Sequence, residues 1–227
     1  VAQHIHRRLA QRLDAHGKPV PLIAETGGIN AMVVDSSALS EQVVGDVLMS
    51  AFDSAGQRCS ALRLLCLQDD SADAVLHMLH GAMRELRVGL PDQLATDVGP
   101  VIDAEARADI EGYIAHMQDA GFVVQRLPLP ADCRQGHFVA PTLIEIKRVR
   151  DLTREVFGPV LHVLRYQRAG FDQLMADINA LGFGLTFGVH TRIDETVARV
   201  SQHMHAGNMY VNRNMVGAVV GVQPFGG

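Results

Sequence analysis

Cys59 is the residue of this sequence whose surroundings are best suited to covalent chemistry. It lies in residues 54–60 (SAGQRCS), between an amphipathic segment and an apolar run. This placement predicts a thiol on a turn between a helix and a strand, where it can face a cleft. Gly56 allows the backbone a positive φ, and Arg58 is a nearby cation that favours the nucleophilic thiolate. On these residues alone a buried structural thiol is the simpler interpretation, because free Cys is among the most buried residue types.

Glu25 is the second residue whose position suggests chemistry. It stands just ahead of a Gly pair in residues 23–30 (IAETGGIN), between two β-like apolar runs, so its carboxylate is held on a tight turn. A carboxylate and a thiol on separate turns can supply a general base and a nucleophile for acyl chemistry. The two residues together therefore make a stronger candidate site than either alone.

Histidines are frequent in the chain, which contains 11 of them. His77 and His80 share one face of a predicted helix. No third group of ligands accompanies them, and a protein zinc site needs at least three protein ligands. We therefore predict no metal site.

Composition and charge narrow the class of protein. Hydrophobic residues make up 48% and charged residues 20%, as in ordinary folded proteins. The net charge of −5 provides no broad basic field for nucleic acid. No apolar run approaches the length of a membrane span, and three cysteines without paired spacing fit a reducing compartment. We expect a cytoplasmic enzyme without a transmembrane segment or a nucleic-acid partner.

Apolar periodicity and turn residues predict alternating helices and strands along the chain. Helices are predicted at 1–13, 40–54, 71–86, 103–120, 171–181 and 194–205, and strands at 20–24, 31–34, 62–67, 122–127, 138–146, 160–166, 186–190 and 209–211. Such alternation is typical of an α/β layered domain with a mostly parallel sheet. The chain starts inside a helical pattern and stops in a loop motif, so we expect a piece of a longer polypeptide.

Four short motifs occur in register along the chain. They are ETGGIN at 25–30, GQRC at 56–59, EVFGP at 155–159 and PFGG at 224–227. In order and spacing they resemble the aldehyde dehydrogenase superfamily. The resemblance implies a three-layer α/β catalytic domain, preceded by the last helix and strand of a dinucleotide-binding domain. Residues 1–27 would then end the NAD-binding domain, and 28–227 would form the catalytic domain, truncated before the oligomerisation strand.

The resemblance also implies roles for the two candidate catalytic residues. Cys59 matches the nucleophile, whose thiolate adds to the aldehyde carbon to give a thiohemiacetal that passes a hydride to the nicotinamide of NAD. Glu25 matches the general base, which activates the water that hydrolyses the resulting thioester. Covalent capture divides one difficult oxidation into two easier steps.

Further matches concern the cofactor. By resemblance, Glu155 hydrogen-bonds the nicotinamide ribose and Phe157 packs beside it. Thr26 and Gly27 lie where backbone atoms of the family approach the nicotinamide.

Longer stretches narrow the resemblance. LIAETGG at 22–28, GQRCSALR at 56–63 and the segment 210–227 look like glutamate-γ-semialdehyde (1-pyrroline-5-carboxylate) dehydrogenases of proline breakdown, especially those within bifunctional proline-utilisation flavoenzymes. In that group the substrate carboxylate is anchored by a hydroxyl and by backbone N–H groups of a Gly-rich loop. These roles fall on three residues of this chain, with a fourth that packs against the aliphatic part of the substrate: Ser60, Gly217, Ala218 and Phe225.

Some parts of the family's machinery are expected outside residues 1–227. The asparagine that stabilises the oxyanion and the cofactor-binding lysine would precede Val1, as would an FAD-dependent proline dehydrogenase domain in a bifunctional parent. We expect the parent to be a homo-oligomer that can associate peripherally with the inner membrane, and the isolated chain to be inactive. The alternatives are another aldehyde dehydrogenase, such as a succinate-semialdehyde type, or a non-catalytic interaction module with this fold.

Overall fold

A computed structural model describes residues 2–218, 221, 222 and 226. Its α-helices are α1 (Ala2–Leu9), α2 (Ser40–Phe52), α3 (Asp69–Arg84), α4 (Ala104–Asp119), α5 (Phe171–Asn179) and α6 (Asp194–His203). Its strands are β1 (Asn30–Val34), β2 (Leu62–Gln68), β3 (Val123–Arg126), β4 (Thr142–Ile146), β5 (Val160–Tyr166), β6 (Thr186–His190) and β7 (Asn208–Val211).

All seven strands form one sheet in the order β3-β4-β5-β2-β1-β6-β7. Neighbouring strands are parallel, except that β3 runs antiparallel to β4 at one edge. Every residue of β1, β2 and β6 is buried. Strands covered on both faces are mainly apolar, which explains why apolar residues predominate in β1 and β2.

The helices cover both faces of this sheet. From β1 the chain passes through α2 to β2, which lies on the β3 side of β1 in the sheet. From β5 it passes through α5 to β6, which lies towards the β7 side, so the two connections cross the sheet in opposite directions. Because such crossovers are right-handed, opposite directions place the helices on opposite faces. In agreement, α2 packs against α3 and α5 packs against α6. The predicted three-layer α/β fold is confirmed.

Two predicted strands need correction. Residues 20–24 form no strand and are mostly exposed, so the strand expected at the end of a dinucleotide-binding domain is wrong. Pro21 has no N–H to donate to a ladder, which disfavours a strand there. The strand predicted at 138–146 begins only at Thr142, after Pro141, for the same reason. The first helix is also shorter than predicted, since α1 ends at Leu9.

Other boundaries follow from local chemistry. Asp103 caps α4, because its side chain accepts a hydrogen bond from the N–H of Ala106 and satisfies one free donor of the first turn. Within the described part of the chain, no helix has the length and apolar character needed to cross a membrane.

Candidate active site

The candidate residues gather at one edge of the sheet. Cys59 lies just before β2, Gly27 just before β1 and Glu155 in the loop before β5. Since β1, β2 and β5 are parallel neighbours, their amino ends meet at the same edge. The edge that collects these side chains is therefore opposite to the carboxyl ends of the strands, where open α/β sheets commonly bind ligands.

The turn that carries Cys59 has an unusual backbone. Ser54, Ala55 and Gly56 adopt positive φ angles of 55°, 53° and 66°. For a residue with a Cβ this conformation costs about 1–2 kcal/mol, and such strain clusters at functional sites. A Cβ on Gly56 would lie 2.2 Å from the carbonyl oxygen of Gly158, so only glycine lets the two loops come this close.

Asn30, at the start of β1, fastens the Cys59 turn to the sheet. Its side-chain amide donates hydrogen bonds of 2.8 Å to the carbonyl oxygens of both Cys59 and Ala61, and its amide oxygen accepts one of 3.1 Å from the N–H of Thr186. Asn30 is buried, so these partners satisfy a side chain that water does not reach. The Cys59 backbone is thereby held against β1 and β6.

Cys59 is the most accessible of the three free thiols, being half-buried while Cys66 and Cys133 are buried. Burial raises the pKa of Cys66 far above its usual range, which makes this thiol unreactive. Burial also raises the pKa of Cys133, and the neighbouring Asp132 adds to the effect. In the folded chain an alkylating reagent should therefore select Cys59.

Glu155 faces the Gly27–Gly28 turn. A Cβ on Gly27 would lie 2.2 Å from its Oε2 atom, so the carboxylate occupies the space that a side chain would fill. Burial raises the pKa of Glu155, opposed by a hydrogen bond from the backbone of Gly28 and by the charge of Arg63. Its Oε1 atom is buried and has no hydrogen-bond partner. The exposed ring of Phe157 follows in the same loop.

Arg63 connects the Cys59 turn to the loop of Glu155. Only 1% of the residue is exposed, yet its two terminal nitrogens donate to the carbonyl oxygens of Gly158 at 3.0 Å and Arg58 at 3.2 Å. Burial lowers the pKa of Arg63 to about 10, and the charges of Glu155 and Cys59 act in the opposite direction. Sequence reasoning assigned no role to Arg63 or to Asn30. Each is a polar residue next to a run of apolar residues in its strand, which is the signal that could have found them.

Glu25 is exposed and lines an open cavity of about 820 Å³ together with α1, residues 22–24 and Gly226. Its Oε1 atom lies 3.5 Å from the position of a Cβ on Gly226. The turn that follows Glu25 approaches the nucleophile, since a Cβ on Gly28 would lie 3.0 Å from the carbonyl oxygen of Cys59. The two motifs thus meet through their backbones. Thr26, which lies between Glu25 and Gly27, is exposed.

The residues expected to anchor a substrate carboxylate lie in two places. Ser60 follows Cys59 and is buried, with its carbonyl oxygen accepting from the hydroxyl of Thr186 at 3.3 Å. Gly217 has a φ of 83° and precedes the half-buried Ala218. Phe225 lies outside the described residues.

Helix α2 supports the segment that leads into Gly217. The N–H of Met215 donates to the buried hydroxyl of Ser50 at 3.0 Å, and the backbone of Asn214 donates to Asp46. The loop is therefore held from the helix that ends just before the Cys59 turn. Across residues 2–218, 221, 222 and 226, no group of three or more His, Cys, Asp or Glu residues is arranged to hold a metal ion.

Comparison with known proteins defines the class of protein. The model of the aldehyde dehydrogenase family matches residues 1–227, and the chain belongs to this family. The Escherichia coli (strain K12) bifunctional protein PutA is 62% identical over 232 residues, which cover 100% of this chain and 18% of that protein. The 1-pyrroline-5-carboxylate dehydrogenase of Bacillus mycoides (strain KBAB4) is 34% identical over 208 residues, covering 91% of this chain and 40% of that protein.

Solved structures give the same result for the fold. A crystal structure of a bifunctional proline utilization A (PutA) protein matches with a TM-score of 0.91 and 51% identity, covering 99% of this chain and 22% of that one. The 1-pyrroline-5-carboxylate dehydrogenase from Thermus with bound NAD matches with a TM-score of 0.80 and 35% identity, covering 89% and 39%. The predicted family and its narrower resemblance are confirmed, and the chain spans less than half the length of each of these relatives.

Proposed function

We propose that this chain carries the thiol-bearing part of an NAD-dependent dehydrogenase that oxidises L-glutamate γ-semialdehyde, the open form of 1-pyrroline-5-carboxylate, to L-glutamate in proline breakdown. The observation that carries the proposal is the meeting of the Cys59 turn, the Gly27–Gly28 turn and the Glu155 loop at one edge of the sheet. The similarity to PutA and to 1-pyrroline-5-carboxylate dehydrogenases supports the choice of substrate.

Cys59 is the proposed nucleophile. Its thiolate adds to the aldehyde carbon. NAD, held by the residues around Glu155, would supply the acceptor for the hydride that this carbon loses as the thioester forms. Glu25 removes a proton from water, whose oxygen attacks the thioester, so that the carboxylic acid leaves and the thiolate of Cys59 is restored. The half-buried thiol and the exposed carboxylate suit these roles, since both must meet small molecules.

The residues around Glu155 fit the nicotinamide side of NAD. Glu155 as a whole is half-buried, and its carboxylate, which can only accept hydrogen bonds, is suited to a ribose hydroxyl. Gly27 lacks the Cβ that would clash with Glu155, so the carboxylate can lie directly against the backbone of this turn. Thr26 and Phe157, both exposed, would complete the contact surface.

The substrate carboxylate is assigned to Ser60, Gly217 and Ala218, with Phe225 against the aliphatic chain. Backbone N–H groups of a loop with a positive φ, such as Gly217, can form a nest for an anion. We also propose the domain division into 1–27, at the end of the NAD-binding domain, and 28–227, the catalytic domain. In its parent the chain would belong to a cytoplasmic homo-oligomer with peripheral membrane association, and FAD would belong to a separate domain.

The test uses a full-length polypeptide that carries this chain. Cys59→Ser and Glu25→Gln should each abolish the reduction of NAD by the semialdehyde, while Cys133→Ser, which removes a buried thiol, should leave it intact. A Cys59→Ser variant that keeps its activity would contradict the assignment. The isolated chain should show no turnover, because we place most of the cofactor-binding domain outside it.

A second candidate function is the oxidation of a different aldehyde, such as succinate semialdehyde. It differs from the first in the residues that would hold the substrate carboxylate. Ser60→Ala should weaken the preference for the carboxylated substrate over a plain aldehyde of equal length. An unchanged preference would favour the other aldehyde dehydrogenases. A non-catalytic interaction module would show slow alkylation of Cys59 without a thiolate-like pH profile.

A further inference from the structure

Arg63 is the one basic residue among the seven residues of β2, and the whole strand is buried. Removal of a guanidinium from water is costly unless hydrogen bonds and an opposite charge compensate it. Its compensation here is incomplete, because its Nε atom has no hydrogen-bond partner and the closest carboxylate oxygen, Oε1 of Glu155, lies 3.8 Å away. A buried charge held in this way calls for an explanation beyond packing.

The two hydrogen bonds of Arg63 join the two loops that carry the proposed chemistry. One goes to the carbonyl oxygen of Arg58, the residue before Cys59, and the other to the carbonyl oxygen of Gly158, in the loop of Glu155. These carbonyls are 5 and 95 residues from Arg63 along the chain. A planar guanidinium can bridge them at once, whereas an ammonium group lacks this fixed fork.

The charge of Arg63 faces groups that can become anionic. The charges of Glu155 and Cys59 raise the pKa of Arg63 against the effect of burial, and Oε1 of Glu155 lies 3.8 Å from its guanidinium. The ring of Phe157 lies 5.3 Å from the guanidinium carbon and presents its electron-rich face. His162, whose Nδ1 atom lies 3.0 Å from the carbonyl oxygen of Arg63, is buried, and burial lowers its pKa to about 4, so it adds no competing charge near neutral pH.

Arg58, the other cation of this turn, is directed elsewhere, since its Nε atom donates to the hydroxyl of Ser54 at 3.0 Å. We infer that Arg63 is a positioning residue of the dehydrogenase reaction: it holds the Cys59 turn and the Glu155 loop at a fixed separation, and it places a cation beside that turn and beside the carboxylate of Glu155. The inference rests on the proposed function for the roles of Cys59 and Glu155.

The experiment separates the effect of the positive charge of Arg63 from the effect of its two hydrogen bonds. Arg63→Met removes both, and Arg63→Lys keeps the charge. Arg199→Met is the control, because Arg199 likewise lies near a carboxylate, that of Asp172, and over an aromatic ring. Each variant of the full-length polypeptide is treated with iodoacetamide across a range of pH, with Cys59→Ser as the background. The KM for NAD is measured in parallel.

We expect Arg63→Met to slow the alkylation of Cys59 at neutral pH about 3- to 10-fold, because the thiolate is the reactive form and it loses a neighbouring cation. Arg63→Lys should restore the alkylation profile. Both variants should raise the KM for NAD, since one ammonium group cannot hold both carbonyl oxygens. Arg199→Met should change neither. A purely structural role would change thermal stability without this division between the two variants.

An unchanged alkylation profile in Arg63→Met would overturn the inference, as would a lysine variant with a shifted profile or a normal KM. If Arg63→Met does not fold, the lysine variant alone decides by the same two measurements. Loss of activity in Cys59→Ser together with normal behaviour of Arg63→Met would refute only the role of Arg63. Activity that survives Cys59→Ser would refute the proposed function itself.

Discussion

Gly56→Ala tests how closely the Cys59 turn must approach the Glu155 loop. At this position the added Cβ would lie 2.2 Å from the carbonyl oxygen of Gly158 and 2.9 Å from that of Ala51. Both neighbours are backbone atoms, so no side chain can rotate away to make room. The φ of 66° adds a second penalty, because alanine rarely adopts this conformation.

The expected loss of stability has two parts. The left-handed backbone costs about 1 kcal/mol for alanine relative to glycine, and forced movement of a packed loop costs about 1–3 kcal/mol more. The free energy of unfolding should therefore fall by about 2–4 kcal/mol in all. Gly182→Ala isolates the first part, since Gly182 has a φ of 75° and nothing within 4 Å of the new Cβ.

Gly45→Ala is a control that should gain stability instead of losing it, because Gly45 lies inside α2 with open space around it. In a helix interior alanine is favoured over glycine by roughly 0.5–1 kcal/mol, so this variant should be slightly more stable. Urea unfolding of all three variants, followed by circular dichroism, measures the differences. If Gly56→Ala loses no more stability than Gly182→Ala, the close contact with Gly158 does not constrain the turn.

Three further predictions concern the same edge of the sheet. Gly27→Ala should displace the carboxylate of Glu155 and raise the KM for NAD about tenfold, the effect of one lost hydrogen bond; an unchanged KM in steady-state kinetics would contradict this. Asn30→Ala should lower the free energy of unfolding by about 2–4 kcal/mol and alter the alkylation rate of Cys59, because buried partners lose their hydrogen bonds; a chemical unfolding curve like that of the parent would refute it. His162 has a pKa lowered by burial to about 4 against 6.5 when unfolded, so below pH 6.5 the unfolded chain binds the proton first and stability falls by up to about 3 kcal/mol towards pH 4. His162→Gln should remove most of that slope in unfolding curves recorded at each pH.

The fold is largely predictable from local patterns. β5 and β6 have the bounds that the sequence predicts, because each is a short apolar run bounded by turn residues. The prediction fails at residues 20–24, where apolar residues are interrupted by Pro21. Apolar character alone does not make a strand; the backbone must also have donors and a partner.

The candidate site is only partly predictable. Cys59, Glu155 and Gly27 stand in short motifs, and the structure brings the turn and loops that carry them together. The roles of Asn30 and Arg63 arise from contacts with residues far away along the chain, which no local pattern contains. A polar side chain in a buried strand shows only that a partner must exist, and it does not identify that partner.

The location of the site at the amino ends of the strands has an electrostatic consequence. Helix α2 ends at Phe52, and the carbonyl oxygen of Ala51 in its last turn lies 2.9 Å from the position of a Cβ on Gly56, so the negative end of the helix macrodipole adjoins the Cys59 turn. Enzymes that place a thiolate at a helix start gain stabilisation from the backbone, but here the helix opposes the negative charge. The buried guanidinium of Arg63, which donates to the carbonyl oxygen of Arg58 in the same turn, brings a charge of the opposite sign to that place.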